Sequence, residues 1–178
     1  FSDFKFFEIL ADKLPETVNL HFSNSSAIRY AQLFEFKTNS IHCNRGTSGI
    51  DGCTSTAMGF AMKAKEQTVL VTGDVSFFYD INGLWNNYIP PYTRIIVFNN
   101  GGGDIFKIIP GPSSTNALEE FILTKHHKNA EYLAKHFGFG YTKVDDEDTL
   151  SRVLDNFFKP DEKAKILEVD TSAIENSA

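Results

Sequence analysis

Two stretches limit the fold more than anything else in the chain. Thr68-Val69-Leu70-Val71-Thr72 and Ile95-Ile96-Val97-Phe98 are strand-length runs that end abruptly, the first in Gly73-Asp74 and the second in Asn99-Asn100-Gly101-Gly102-Gly103. Strands with no polar alternation are covered on both faces, which is the condition of a parallel sheet layered by helices. Segments of β-branched and aromatic residues alternate with segments of helical period along the rest of the chain, the signature of α/β units. Strands are expected at Val18–Phe22, Ser40–Cys43, Thr68–Thr72, Ile95–Phe98, Tyr141–Val144 and Lys165–Val169. Helices are expected at Asp3–Leu14 (with Phe4, Phe7, Ile9 and Leu10 on or near one face), through Ile28, Ala31 and Leu33, and at Gly49–Ala64, Phe77 to about Asn87, Ala117–Leu123, Ala130–Phe137 and Thr149–Phe158. The cluster Ser23-Asn24-Ser25-Ser26 supplies turn and N-cap chemistry. The fold class that follows is α/β: three layers around one doubly wound, mostly parallel six-stranded sheet, with ligands beyond the carboxyl ends of its strands.

Composition excludes several function classes. At 178 residues, with 42% hydrophobic and 22% charged residues, the chain can bury a full core as one domain. No apolar run approaches the ~20 residues of a membrane helix. The net charge is −6 and the 17 Lys and Arg residues are dispersed, so nucleic acid is not an expected partner. Cys43 and Cys53 have no paired spacing, no signal peptide precedes them, and a cytoplasmic setting follows. The opening at Phe1 suggests a piece of a longer polypeptide.

The two strand ends should share one rim. Asp74 and Asn100 then offer hard oxygen ligands, and the glycines let a backbone carbonyl approach. That set suits Mg²⁺, which takes about six oxygens near 2.0–2.1 Å and keeps water and phosphate oxygens in its shell. Alone, Asp74 equally reads as a helix cap and the glycine run as a turn. A second loop, Asn44-Arg45-Gly46-Thr47-Ser48-Gly49-Ile50-Asp51-Gly52, follows a strand and can present N–H groups to an anion. It matches neither common nucleotide fingerprint. Arg45 lies on the same rim and reads equally as a carboxylate binder or a surface arginine, while Arg29, one turn into the helix after Ser25 and Ser26, can reach back to that rim but alone reads as a solvated arginine behind a helix cap. Ile105, Phe106 and Ile109 suit an apolar wall or a core under the loop. His126 and His127, flanked by Lys125 and Lys128, read as an exposed helix end, His21 and His136 as ordinary core or surface residues, and His42 stays open.

Gly73-Asp74-Val75, twenty-three residues and Asn99-Asn100 together resemble the cofactor motif of the thiamin-diphosphate-dependent enzymes. Val75 stands where glycine is commoner. Asn24-Ser25 with Arg29, the string from Asn44 to Gly52, Ser76, Asp80-Ile81-Asn82 and Ile105-Phe106 are similar to the menaquinone-pathway branch, the 2-succinyl-5-enolpyruvyl-6-hydroxy-3-cyclohexene-1-carboxylate synthases. The resemblance covers essentially residues 1–178, as the C-terminal, diphosphate-binding domain of a three-domain subunit. It implies thiamin diphosphate and Mg²⁺ (or Mn²⁺) as cofactors, with Asp74, Asn100 and the Gly102 carbonyl as metal ligands. Ser48, Gly49, Ile50, Gly73, Asp74, Val75, Ser76, Asn100, Gly102 and Ile105 would contact the cofactor, Ile50 beneath its rings. Ser25, Arg29 and Arg45 would bind carboxylates of 2-oxoglutarate and isochorismate, and Ile105, Phe106 and Ile109 would form the apolar wall. It also implies an activating glutamate on the pyrimidine-binding domain of a partner subunit, a homodimer or homotetramer, and an isolated domain without activity. Alternatives are another thiamin-diphosphate enzyme, such as a 2-oxoacid decarboxylase or an acetolactate-synthase-like protein, and a non-catalytic assembly module of the same fold.

Overall fold

The computed structural model describes residues 1–173. All six expected strands are present: β1 (Asn19–Phe22), β2 (Ser40–Cys43), β3 (Thr68–Gly73), β4 (Arg94–Asn99), β5 (Gly140–Val144) and β6 (Lys165–Asp170). They form one sheet in the order β2-β1-β3-β4-β6-β5, every neighbouring pair parallel. The sheet has helices on both faces, so the α/β, doubly wound, three-layer class holds.

Side chains alternate along the central strands, and the alternation builds two cores. Val69, Val71, Ile96, Phe98, Leu167 and Val169 meet Phe6, Phe7 and Leu10 of α1 (Asp3–Lys13), Ala27 and Ile28 of α2 (Ser26–Ala31), and Leu150 and Leu154 of α7 (Glu147–Phe157). Leu70, Ile95, Val97 and Ile166 point the other way. They meet Ala57 and Met58 of α3 (Cys53–Ala61), Phe77 of α4 (Asp74–Tyr79) and Ala134 of α6 (Glu131–His136). Fully burying each of these large side chains contributes about 1.5–3 kcal/mol, so the centre of the sheet is a rigid base for whatever its ends carry.

Several expectations need correction. The inward face of α1 is Asp3, Phe6, Phe7 and Leu10, while Phe4 is 48% exposed. A buried acid at the first position hid the true register. Helix α2 stops at Ala31 and leaves Leu33 exposed. Helix α3 begins at Cys53 rather than Gly49, because Gly52 adopts φ 73° and ends the loop there. The helix expected at Phe77–Asn87 is α4, running directly off β3, followed by a 3₁₀ turn at Ile81–Leu84. Asp80 breaks it: its buried carboxylate accepts the N–H of Ser55 at 2.6 Å and the Ser55 hydroxyl, stapling the break to the start of α3. Residues Leu118–Ile122 form a π-type turn, and a short helix α5 (Ile105–Ile108) follows the glycine run. Among the described residues no helix is long and apolar enough to cross a membrane.

Candidate functional site

From β1 the chain crosses outward to β2, and from β3 it crosses the opposite way to β4, β6 and β5. Crossovers that diverge leave a crevice between β1 and β3 at the carboxyl ends, where doubly wound sheets bind ligands. A cavity of about 400 Å³ lies there. Asn24 and Ser25 line it after β1, Ser48, Gly49 and Ile50 before α3, and Gly73, Asp74, Val75 and Ser76 at the turn into α4. Asn100, Gly102, Ile105 and Phe106 complete it after β4. A groove of about 460 Å³ between β5 and α7 involves Gly140 and Lys165, which begin their strands. It therefore lies at the opposite, amino end.

Twelve of the fifteen residues that the resemblance assigns to cofactor, metal or substrate thus share one cavity. Arg29, Arg45 and Ile109 are not in its lining. Arg29 is exposed on α2. Arg45 stands one contact away, where its Nη1 donates to Asn24 Oδ1 at 2.8 Å. Asn24, 5% exposed, also donates through Nδ2 to the Ser48 carbonyl, so one amide ties the end of β1 to the loop before α3. Ser76 extends the same stitching by donating to the Ile50 carbonyl at 2.7 Å. Ser25 occupies the N-cap position of α2 but makes no capping bond, contrary to expectation. Its backbone sits at φ 68°, ψ −132°, which leaves the hydroxyl off the helix end.

Asp74 is 2% exposed. Its Oδ1 accepts the N–H of Val75 at 2.7 Å and its Oδ2 that of Gly101 at 3.0 Å. An ionised carboxylate offers about four acceptor positions, so Asp74 retains capacity for a further ligand. Asn100 donates Nδ2 to Asp3 Oδ2 at 2.8 Å, whereas its Oδ1 is buried without a hydrogen-bond partner. Buried polar atoms are seldom left in that condition, and an oxygen so placed beside a carboxylate has lone pairs free to take a cation. Gly102, at φ 157°, passes against the Leu123 carbonyl so closely that a Cβ would lie 2.6 Å from that oxygen. One carboxylate, one amide oxygen and bare backbone fit a hard cation that leaves coordination positions for phosphate oxygens and water, the chemistry of Mg²⁺ or Mn²⁺. Among the described residues no group of three or more His, Cys, Asp or Glu could hold a metal instead.

Two residues at this site escaped the sequence reading. His126 is not an exposed helix end: its side chain is 9% exposed, and Nε2 lies 3.1 Å from Asp74 Oδ2 without hydrogen-bond alignment. The edge-on ring of Phe78 and the bond from His126 N to the Gly101 carbonyl at 3.0 Å hold it there. The Lys-His-His-Lys context gave no hint of this. Asp3 is the second. It is 1% exposed and accepts the Thr171 hydroxyl as well as the Asn100 amide. Burial pushes its carboxyl up to about 6 against the opposing pull of those hydrogen bonds, and Asp74 and Asp104 nearby push the same way.

Residues 25–169 match the family described as thiamine pyrophosphate enzyme, C-terminal TPP binding domain. The chain is 53% identical over 172 residues to the 2-succinyl-5-enolpyruvyl-6-hydroxy-3-cyclohexene-1-carboxylate synthase of Flavobacterium psychrophilum, covering 96% of this chain and 31% of that protein. It is 49% identical over 177 residues to the protein of the same name from Flavobacterium johnsoniae, covering 99% and 32%. The chain thus spans about a third of the length of the curated relatives it matches. An X-ray structure described as a thiamin diphosphate-dependent enzyme from Mycobacterium smegmatis shares the fold, with a TM-score of 0.74 at 20% identity over 95% of this chain and 31% of that one. By the family match over most of its length, the chain belongs to the thiamine pyrophosphate enzymes, as their C-terminal cofactor-binding domain.

Proposed function

We propose that residues 1–178 are the diphosphate-binding domain of a longer, multidomain 2-succinyl-5-enolpyruvyl-6-hydroxy-3-cyclohexene-1-carboxylate synthase. In this reading the whole protein is a transferase of menaquinone biosynthesis that decarboxylates 2-oxoglutarate and adds the succinyl unit to isochorismate. The observation that carries it is the unpartnered, buried Oδ1 of Asn100 on the same cavity as buried Asp74. The names of the relatives at 53% and 49% identity support the choice of substrates.

Asp74, Asn100 and the Gly102 carbonyl would hold Mg²⁺, and Gly73, Val75, Ser76, Ser48 and Gly49 would border the diphosphate. When bound, thiamin diphosphate supplies the electron sink for cleaving a 2-oxo acid beside its carbonyl. The protein's own part is binding and exclusion of water. Ile50 would border the cofactor, and Ile105 and Phe106, which line the cavity, would keep the pocket apolar, with Ile109 following them at the end of α5. Ser25 would bind a substrate carboxylate from the cavity lining, and Arg45, aimed by the Asn24 amide, and Arg29, exposed on α2, would do so from outside that lining. Among the described residues no acid is assigned the role of the activating glutamate. That group belongs to the pyrimidine-binding domain of a partner subunit in a cytoplasmic homodimer or homotetramer, and this domain alone is inactive. The exposed rings of Tyr79, which lines the cavity, and of Trp85 and Tyr88 just beyond α4 support a face completed by another domain.

The test uses the full-length protein. Asp74→Ala should fold normally yet lose Mg²⁺-dependent retention of thiamin diphosphate on gel filtration, and with it consumption of 2-oxoglutarate in the presence of isochorismate. Full cofactor retention by the variant would refute the metal assignment. An intact metal site with turnover of other 2-oxo acids only would refute the substrate assignment.

A further inference from the structure

A side-chain amide has two ends of opposite chemistry, and only its oxygen can meet a cation. Nothing in an isolated asparagine decides which end faces a site, so a neighbour must. At Asn100 that neighbour is Asp3, the first residue of α1 and 97 positions away in sequence, which takes the Nδ2 end at 2.8 Å. An ionised carboxylate only accepts, and it therefore rejects the oxygen end and leaves Oδ1 on the other side, where it is buried and unpartnered. Thr171 grips the second oxygen of Asp3, so the carboxylate is itself held.

The adjacent residue provides an internal control. Asn99 also gives its Nδ2 to a buried carboxylate, Glu168 Oε1, at 2.6 Å. Glu168 is fixed in turn through Oε2 by the N–H of Ala130 at 2.8 Å and the Tyr141 hydroxyl at 2.7 Å. With its orientation set in the same way, Asn99 spends its oxygen on the N–H of Gly101 at 3.1 Å and closes the loop. The device is the same at both positions, and only the oxygen of Asn100 is left over.

We propose that Asp3 is a positioning residue of the cation site, fixing the Asn100 amide so that its oxygen and not its nitrogen is presented to the metal. The proposal rests on the reading of Asp74, Asn100 and Gly102 as that site. Its experiment must therefore separate the two failures.

The measurement is Mn²⁺ affinity of the full-length protein by electron paramagnetic resonance, at saturating thiamin diphosphate, with the metal-free melting temperature as the control for folding. Asp3→Leu and Asp3→Ala should weaken Mn²⁺ binding about 10- to 100-fold, the usual effect of losing a group that orients a ligand. Asp3→Asn should stay within about threefold, because its oxygen can still take the Asn100 amide while its own NH₂ donates to the Thr171 hydroxyl. Asn100→Ala and Asp74→Ala report on the site itself. If neither changes Mn²⁺ affinity, the site reading fails and the proposal goes with it. If both abolish binding while Asp3→Leu and Asp3→Ala bind normally, the site stands and the positioning role is refuted. A loss in Asp3→Asn as deep as in Asp3→Leu would also refute it, since charge and not orientation would then be at work. Should the apolar variants fail to fold, a crystal structure of the wild-type protein with Mn²⁺ decides: a hydrogen bond from Asn100 Nδ2 to Asp3 beside a metal-bound Oδ1 is expected, and its absence overturns the proposal.

Discussion

Substituting alanine for Gly102 tests how the loop after β4 is built. A Cβ at Gly102 would lie 2.6 Å from the Leu123 carbonyl oxygen and 3.4 Å from Lys125 Cα, both backbone atoms. That carbonyl already accepts the N–H of Gly103 at 2.6 Å, so it cannot withdraw without breaking a bond. The backbone at φ 157° costs a non-glycine residue about 1–3 kcal/mol. Shifting packed backbone to relieve the overlap adds about 1–3 kcal/mol. The sum is ~4 kcal/mol, or about 2 M in the urea midpoint at an m-value of about 2 kcal/mol/M. Gly101→Ala is the matched control. At φ 83° it carries the dihedral penalty, but its Cβ would meet only the His126 carbonyl at 3.4 Å and the Ser172 side chain at 3.8 Å. It should cost about 1–2 kcal/mol, or 0.5–1 M. Urea titrations of the chain followed by far-UV circular dichroism measure both. Equal shifts, or less than 0.5 M for Gly102→Ala, would mean that the Leu123–Lys125 backbone yields freely. The loop would then not be positioned by this contact.

Other consequences are open to measurement. Arg94 is fully buried and donates to four carbonyls, of Phe157 (2.6 Å), Lys159 (2.7 Å), Pro91 (2.8 Å) and Thr93 (2.9 Å). Arg94→Lys should cost about 3–5 kcal/mol in chemical denaturation, because a single ammonium cannot reach all four, and a cost below about 1 kcal/mol would show those carbonyls finding water instead. His21 is held down to about 4 by burial and by stacked His42. Its folded-state value is depressed, so its stabilising contribution is intact above about 6.5 and is lost as pH falls toward 4, by roughly 2–3 kcal/mol. Asp3 works oppositely: its value is raised to about 6, so its contribution is present below about 4 and is lost as pH rises through 6. His21→Phe should therefore melt higher relative to wild type at pH 5 than at pH 7, and identical pH dependence would sink the argument. Ser25→Gly should raise the melting temperature by a few degrees through relief of the φ 68° backbone, while weakening use of 2-oxoglutarate by the full-length protein. A lower melting temperature would show that no strain resides there.

What the sequence could disclose depended on how far each interaction reaches along the chain. Strands β3 and β4 carry their own evidence, since a run such as Ile95-Ile96-Val97-Phe98 needs cover on both faces wherever it is placed. The strand ends were legible for the same reason: Asp74 and Asn100 follow those runs directly, and the topology alone brings them to one cavity. Helix boundaries were harder because tertiary contacts set them. Asp80 ends α4 by reaching Ser55, 25 residues back. The residues that hold the site together were the least visible. Asp3 is an acid in the first turn of a helix, where local logic assigns it to the macrodipole. His126 sits between basic residues that suggest solvent. Each acquires its role from a partner distant in sequence, and a single chain read along its length does not contain that pairing.

The division between rigid base and strained rim explains how one sheet supports such a site. Among the described residues, the non-glycine positions with positive φ are Ser25, Ser48 and Thr124, and all three line the same cavity. Each such conformation costs on the order of 1–3 kcal/mol and persists only where its surroundings over-determine it. Those surroundings can be named. Asn24 bonds the Ser48 carbonyl, and the bonds from Gly103 N to the Leu123 carbonyl and from His126 N to the Gly101 carbonyl bracket Thr124. Behind them, β3 and β4 lie buried along nearly their whole length, so the anchoring groups cannot drift. Glycine at the three positions would remove the strain and also three side chains with hydroxyls, those of Ser25, Ser48 and Thr124, from the cavity edge. The fold is therefore best understood as spending stability from its apolar centre to hold oxygens and N–H groups in place before any ligand arrives, which is the condition for binding a cation and a diphosphate without reorganisation.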